Sequence, residues 1–309
     1  MSSNITLFVA KGWNFMIVIT APTGLIGRQI LENVLESGEP VRVIARDPLR
    51  IPPHLRERVE VVRGSHGDAA VVKQAFAGAD AVFWLVPPNF QSDSVTAAYV
   101  DFTRPACEAF RTQGVKRVVG VSALGRGTAV AGNAGLVTAS LAMDDLIAAT
   151  GVNYRALTLP SFMDNLLRQA EAIKNQGLFF SPIAGDRKFP TCATRDIAAV
   201  ASRLLLDNAW SGQGGVAVLG PEDLSFDDMA QIMSEVLEKP VRFQPIPGAA
   251  FKARLTGFGT SGAMAQATLD MMMAKNDGLD SAEPRTSQST SPTSFRQWCQ
   301  EVLKPAVAG

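Results

Sequence analysis

The 309-residue chain carries 29 basic and 29 acidic side chains, a formal charge of zero at pH 7, with 47% hydrophobic and 7% aromatic residues. Balanced charge without a Lys/Arg cluster excludes a nucleic-acid backbone as the first partner to consider. The longest apolar runs, such as AVFWLV at 81–86, fall far short of the ~20 residues a bilayer crossing needs, which excludes a membrane span.

The start, MSSNITLFVAKGWNF, has no charged region ahead of a long apolar segment, so it does not read as a secretion signal, and residues 1–14 are expected to be an N-terminal extension. Short β-branched runs at 16–20, 41–45, 59–62, 81–86, 117–122 and 154–159 predict strands, and helical patterns at 25–36, 69–76, 96–113, 137–149 and 162–175 lie among them. Such alternation predicts a parallel sheet covered by helices on both faces. Beyond Pro160 the texture changes. Residues 179–192 predict a small hairpin or irregular segment, 194–206 a helix with Thr194 as N-cap, and 215–219 a last sheet strand. Ser225 and Asp228 resemble a capping box opening a helix over 225–237; 241–245 predicts a small strand, 249–273 one long helix or two, and 277–294 a loop. The expected architecture is α/β, a doubly wound parallel sheet over 15–160 to which 194–219 returns. A smaller α+β substrate portion is expected from 161–193 and 220–309.

Cys107, Cys192 and Cys299 are widely spaced without a Cys-x-x-Cys, and His54 and His66 are the only histidines. This set predicts reduced thiols in a cytoplasmic protein and no metal site.

The turn Thr20-Ala21-Pro22-Thr23-Gly24-Leu25-Ile26-Gly27-Arg28 sits between the first apolar strand and the first helix, where a dinucleotide fingerprint belongs. Gly24 would let main-chain N–H groups approach a pyrophosphate, and Gly27 would let the helix pack closely on the sheet. Thr20, Thr23, Gly24, Leu25, Ile26, Gly27 and Arg28 are therefore candidate cofactor contacts in a Rossmann-type fold. The usual first glycine is replaced by Ala21, which suits the turn only if its φ stays negative. At the end of the second strand, Arg46 favours the 2′-phosphate of NADP, while the adjacent Asp47 is compatible with the ribose of NAD.

These residues, with VIARDP, Gly67-Asp68, AGADAVFWLVPP (77–88), KRVVGVSALG (116–125), LPSFMDN (159–165) and the downstream TRDIAAV and LGPEDLSFDDMAQIMSEVLEKPVRFQPIP, resemble the NmrA-like group of atypical short-chain dehydrogenases/reductases over most of the chain. The resemblance implies that Asp68 lies near the adenine, that Val86, Pro87 and Pro88 line the middle of the cofactor, and that Ser122 and Pro160 sit beside the nicotinamide. It also implies that Phe162, Met163 and Asn165 face the substrate.

Short-chain reductases commonly protonate a carbonyl oxygen with a tyrosine paired to a lysine four residues on. Tyr99 and Tyr154 are followed at that distance by Thr103 and Thr158, no lysine lies between Lys116 and Lys174, and the family's spacing puts Leu136 and Ser140 at the two positions. Tyr–Lys carbonyl chemistry is thereby excluded. The reading that follows is an NADPH-dependent reductase of quinone-like or otherwise activated apolar electrophiles, acting by positioning, with a greasy cleft to which Met271–Met273 contribute. The alternative is a non-catalytic NADP(H) redox sensor acting through a protein partner. The expected ligand partner is a hydrophobic or aromatic small molecule, and a homodimer is compatible with the reading.

Overall fold

The computed structural model describes residues 15–308, so the expected extension at 1–14 lies outside the described residues. The chain alternates β1 (Ile17–Thr20), α1 (Leu25–Glu36), β2 (Val41–Ala45), the short α2 (Pro53–Arg56), β3 (Glu60–Arg63), α3 (Ala69–Phe76), β4 (Ala81–Trp84), α4 (Phe102–Thr112), β5 (Arg117–Ala123), α5 (Leu136–Ala148) and β6 (Asn153–Leu159). It continues through β7 (Ser161–Phe162), α6 (Ala170–Gln176), β8 (Leu178–Ser181), β9 (Phe189–Cys192), α7 (Thr194–Leu206) and β10 (Gln213–Ala217). Then come β11 (Asp223–Leu224), α8 (Phe226–Leu237), β12 (Arg242–Pro245), α9 (Gly248–Gly257), α10 (Gly262–Asn276), α11 (Phe295–Trp298) and α12 (Lys304–Ala308).

Seven strands form one parallel sheet in the order β10-β6-β5-β4-β1-β2-β3. Ile17 of β1 stands beside Val41 on one side and Ala81 on the other, so the strand order reverses between β1 and β4. A crevice opens at such a reversal, beyond the carboxyl ends of the strands. Every residue of β1 and β4 is buried, as expected for strands packed on both faces. One face is covered by Ile26, Ile30, Leu31 and Val34 of α1 with Ile197, Ala201 and Leu205 of α7. The other is covered by Phe76, Phe110, Met143 and Ile147 from α3, α4 and α5. A separate cluster around Phe179, Met233, Phe295 and Trp298 holds the elements that do not join this sheet. All three cysteines are buried and unpaired. No helix among the described residues is long and apolar enough to cross a membrane.

The structure departs from the sequence reading beyond Pro160. The helix expected over 162–175 is only Ala170–Gln176; before it come β7 and a 3₁₀ stretch, Met163–Gln169. Tertiary bonds hold this segment away from α-geometry: Phe162 pairs with Cys192, and the Gln169 side chain bonds both the N–H and the carbonyl of Phe180. The segment expected as a hairpin at 179–192 is not one. Its strands separate, β8 pairing in parallel with β12 while β9 lies between β11 and β7. Thr194 is not an N-cap but the first residue of α7; its N–H and hydroxyl donate to the carboxylate of Asp164, which caps the helix from the 3₁₀ stretch. The stretch 249–273 divides into α9 and α10 at Gly259, whose φ is +86°, and Ser261 caps α10 by accepting from the Met264 N–H.

Candidate active site

The turn after β1 is built around its own backbone. Ala21 has a φ of +51°, so the condition under which alanine suits this turn without cost is not met. Its carbonyl accepts from the Gly24 N–H at 3.1 Å, and a Cβ on Gly27 would stand 2.2 Å from the same oxygen. Only glycine fits at 27. Gly24 is the N-cap of α1 and would meet nothing closer than 3.6 Å, so its bareness serves approach from outside rather than internal packing. No side chain caps α1 and no acid lies in its first turn, which leaves the leading N–H groups and the positive dipole end available to an anion.

These groups face a cavity of about 850 Å³ that runs along the carboxyl ends of β1, β2, β4, β5 and β6. At the β2 end Arg46 and Arg50 line it, and neither guanidinium has an ion pair or hydrogen bond among the described residues. Asp47 is turned to other use: its carboxylate accepts from the Leu49 N–H at 3.1 Å and does not line the cavity. His66, on the loop after β3, joins the wall with its Nε2–H donating to the Leu85 carbonyl at 3.0 Å and its ring edge-on to Trp84 and Phe102. Burial holds its imidazole neutral, bringing the pKa down to about 4, and Arg46 adds to the effect.

Of the candidate cofactor residues, Thr23, Gly24, Leu25, Ile26, Gly27, Arg46, Val86, Pro87, Ser122 and Pro160 line this cavity, as does Pro88. Thr20, Arg28 and Asp68 do not. Thr20 is fully buried, its hydroxyl donating to the Phe83 carbonyl and accepting from the Leu85 N–H to tie β1 to β4. Arg28 points outward and pairs with Glu32 at 3.6 Å. Asp68 is the N-cap of α3, accepting from Ala70 and Val71.

At the β5–β6 end the wall holds Ser122, Leu136, Ser140, Phe162, Asn165, Met271 and Met272, whereas Met273 is exposed on the outside of α10. Met163 is buried in the C-terminal cluster and reaches only an adjoining second cavity. Ser122 Oγ donates to Asp144 Oδ2, and Tyr154 donates to Asp144 Oδ1 at 2.7 Å, with Arg126 3.7 Å from the same carboxylate. Burial pushes the Asp144 pKa up to about 6 against the pull of those bonds and of Arg126. Tyr99 lines the cavity too. Burial alone raises its pKa to about 12, and its hydroxyl has no hydrogen-bond partner among the described residues. Lys275 of α10 also lines the cavity, but its ammonium is held by the buried Asp280. Sequence reasoning missed His66, Tyr99, Asp144 and Lys275, which reach the site or its supporting network from distant parts of the chain. A polar residue inside an apolar helical face, as at Asp144, was the one local signal available.

An uncapped helix start, a backbone that closes only over glycine at 27, and two unpaired guanidiniums where the second strand ends suit a pyrophosphate and a 2′-phosphate in one elongated cavity. Residues 22–208 match the model of a family described as NAD(P)H-binding. The chain belongs to that family. Over 232 residues it is 30% identical to a (4-alkanoyl-5-oxo-2,5-dihydrofuran-3-yl)methyl phosphate reductase of Streptomyces griseus, covering 75% of this chain and 77% of the relative. It is 27% identical to an NAD(P)H azoreductase of Xenophilus azovorans over 82% of this chain and 84% of that one. The fold matches that of an NADPH-dependent quinone oxidoreductase from Escherichia coli, determined with NADPH, at a TM-score of 0.76 and 23% identity over 95% of this chain and 99% of that chain.

Proposed function

We propose that this NAD(P)H-family protein is an NADPH-dependent reductase of activated, apolar electrophiles of the quinone type, and that it works by positioning. When bound, the dihydronicotinamide supplies a hydride to the acceptor. Arg46 and Arg50 select the phosphorylated cofactor, because a guanidinium matches a phosphate dianion and Asp47 is occupied elsewhere. The first-turn amides of α1 and the bare Gly24 hold the pyrophosphate, while Val86, Pro87 and Pro88 form the wall that fixes its course. Ser122, Pro160 and Phe162 define the far end, where the reacting face must lie.

The observation that carries this reading is the composition of that far end. Leu136 and Ser140, which the family resemblance puts at the places of the usual tyrosine and lysine, line the cavity, and on that correspondence no acid pair stands there. Tyr99 does not replace it. Among the described residues no cation acts on it, and burial shifts its pKa away from the range of a working acid. A quinone or azo acceptor is electrophilic enough to take hydride without a side-chain acid, and water entering the open cavity completes the protonation. Holding the two reactants within roughly 3–3.5 Å is then the protein's main contribution. The reductases named among its relatives support a reducing direction.

The test is NADPH oxidation with a panel of quinones and azo dyes. Turnover above the rate of free NADPH supports the reading, and tight NADPH binding with no turnover of any acceptor overturns it. Arg46→Asp should weaken NADPH binding by about tenfold or more, the loss of one charge-assisted phosphate contact, while NADH binding changes little. An unchanged NADPH affinity would show that Arg46 does not meet the 2′-phosphate.

A further inference from the structure

The first cavity opens, past Phe90, Leu136, Phe162 and Met271, into a second of about 490 Å³ walled by Phe180, Phe189, Phe226, Met229 and Phe295. Among the described residues its charged lining consists of Arg168 and Arg254, with no aspartate or glutamate. Neither guanidinium has an ion pair or hydrogen bond among the described residues; Arg254 lies 4.8 Å above the Phe180 ring, and Arg168 stands at the passage between the cavities. The outer wall is α9, which has no buried residue along its length. Phe251 and Leu255 of α9 face the cavity, and the adjoining Phe258, also part of the lining, is 84% exposed. Among the described residues this apolar surface has no covering partner.

We propose that the second cavity is a binding site for hydrophobic anions: a carboxylate, sulfonate or phosphate ester on an apolar chain or ring system, its anionic group received by Arg168 and Arg254. The apolar body of such a ligand removes the phenylalanine and methionine walls and the cavity-facing Phe251 and Leu255 of α9 from water. The oxyanion gives the two guanidiniums the charge-assisted partners they lack. A neutral ligand of the same shape gives neither guanidinium a partner, and a cationic one meets like charge. Given the reductase reading, on which this step rests, the ligand is the acceptor itself, with its electrophilic end at the passage beside Ser122 and its acidic tail or substituent in the second cavity.

The experiment is a binding comparison on NADPH-saturated protein, which needs no turnover. The probes are 1-anilinonaphthalene-8-sulfonate and the neutral N-phenyl-1-naphthylamine, which share an aromatic body and differ in the sulfonate. The sulfonate is expected to bind about tenfold or more tighter, the value of one charge-assisted contact. Arg254→Met, at a position that lines only the second cavity, should reduce that preference about tenfold, and Arg168→Met should do so as well. Equal affinity of the two probes for the unmodified protein overturns the proposal even if a variant fails to fold, and so does a preference that survives both substitutions. A sulfonate preference in a protein that turns over no acceptor sustains the site and removes the reductase reading. Turnover without the preference does the reverse.

Discussion

Ala21 holds the left-handed backbone angle that a glycine would adopt at no cost, so the fingerprint turn stores strain of the order of 1 kcal/mol. Ala21→Gly is therefore expected to raise the unfolding free energy by at most about 0.5 kcal/mol, the relief being largely offset by the freer unfolded chain, and urea denaturation reads it directly. A loss of stability would mean that the alanine methyl contributes packing that outweighs the angle. Asp144 makes a second residue-scale case, this time in pH. Its folded pKa of about 6 lies above the ordinary 3.8, so the folded state holds the extra proton. Its contribution is favourable at low pH and is lost as the pH rises through about 6. In Asp144→Asn the amide can still accept from Tyr154 and donate to Ser122 but no longer titrates. Relative to the unmodified protein, the variant should gain roughly 2–3 kcal/mol between pH 4 and pH 7.5, and a difference that stays flat with pH would refute the buried-charge account. Tyr99→Phe tests the chemistry itself. With a phenol that burial has made less acidic, kcat for a quinone should change less than about threefold, whereas a loss of a hundredfold or more would make Tyr99 the proton donor.

Among the elements, those set by local rules were legible and those set by remote partners were not. Helices 25–36 and 69–76 and the strand 41–45 read correctly to the residue because apolar periodicity and flanking turns agree, and in α3 the cap is local too, Asp68 at the adjacent position. That same cap explains a misplacement at the site, since a carboxylate spent on Ala70 and Val71 does not line the cavity. The reading failed between Ser161 and Cys192, where backbone geometry is dictated by pairings with β11 and β12, strands that follow tens of residues later. The turn and Arg46 were visible because motif and spacing carry them, and the passage residues Phe162 and Asn165 because the family resemblance implies them. Arg254, His66 and Lys275 were not, since only the folded topology brings them to the cavity wall. The start of α7 shows the same physics in measurable form. Its cap is Asp164, thirty positions upstream, bonded to both the N–H and the hydroxyl of Thr194. Asp164→Ala should cost about 1–2 kcal/mol, as for loss of a helix cap, and Asp164→Asn should recover most of it. If the alanine variant unfolds at the unmodified urea midpoint, α7 does not depend on this tether.

On the scale of the whole molecule, the cavity draws its walls from both ends of the described chain: residues 21–27 on one side, Met271, Met272 and Lys275 on the other. The connections run the same way. After β7, β8 and β9 the chain returns through α7, whose Ile197, Ala201 and Leu205 share a core with α1, before leaving again beyond β10. Elements that interleave in this manner cannot lose the sheet and keep the C-terminal cluster, because α7 belongs to the packing of one and is capped by Asp164 from the other. Calorimetry should therefore show one transition. A cofactor that binds only the folded chain adds RT ln(1 + [L]/Kd), about 2.7 kcal/mol at one hundred times Kd. For a chain of this length that is a rise of roughly 4 °C, shared by the entire transition. Two transitions, of which NADPH moves only one, would show that the nucleotide-binding half melts independently and that the cavity wall contributed by α10 forms without energetic coupling to the turn at Gly24.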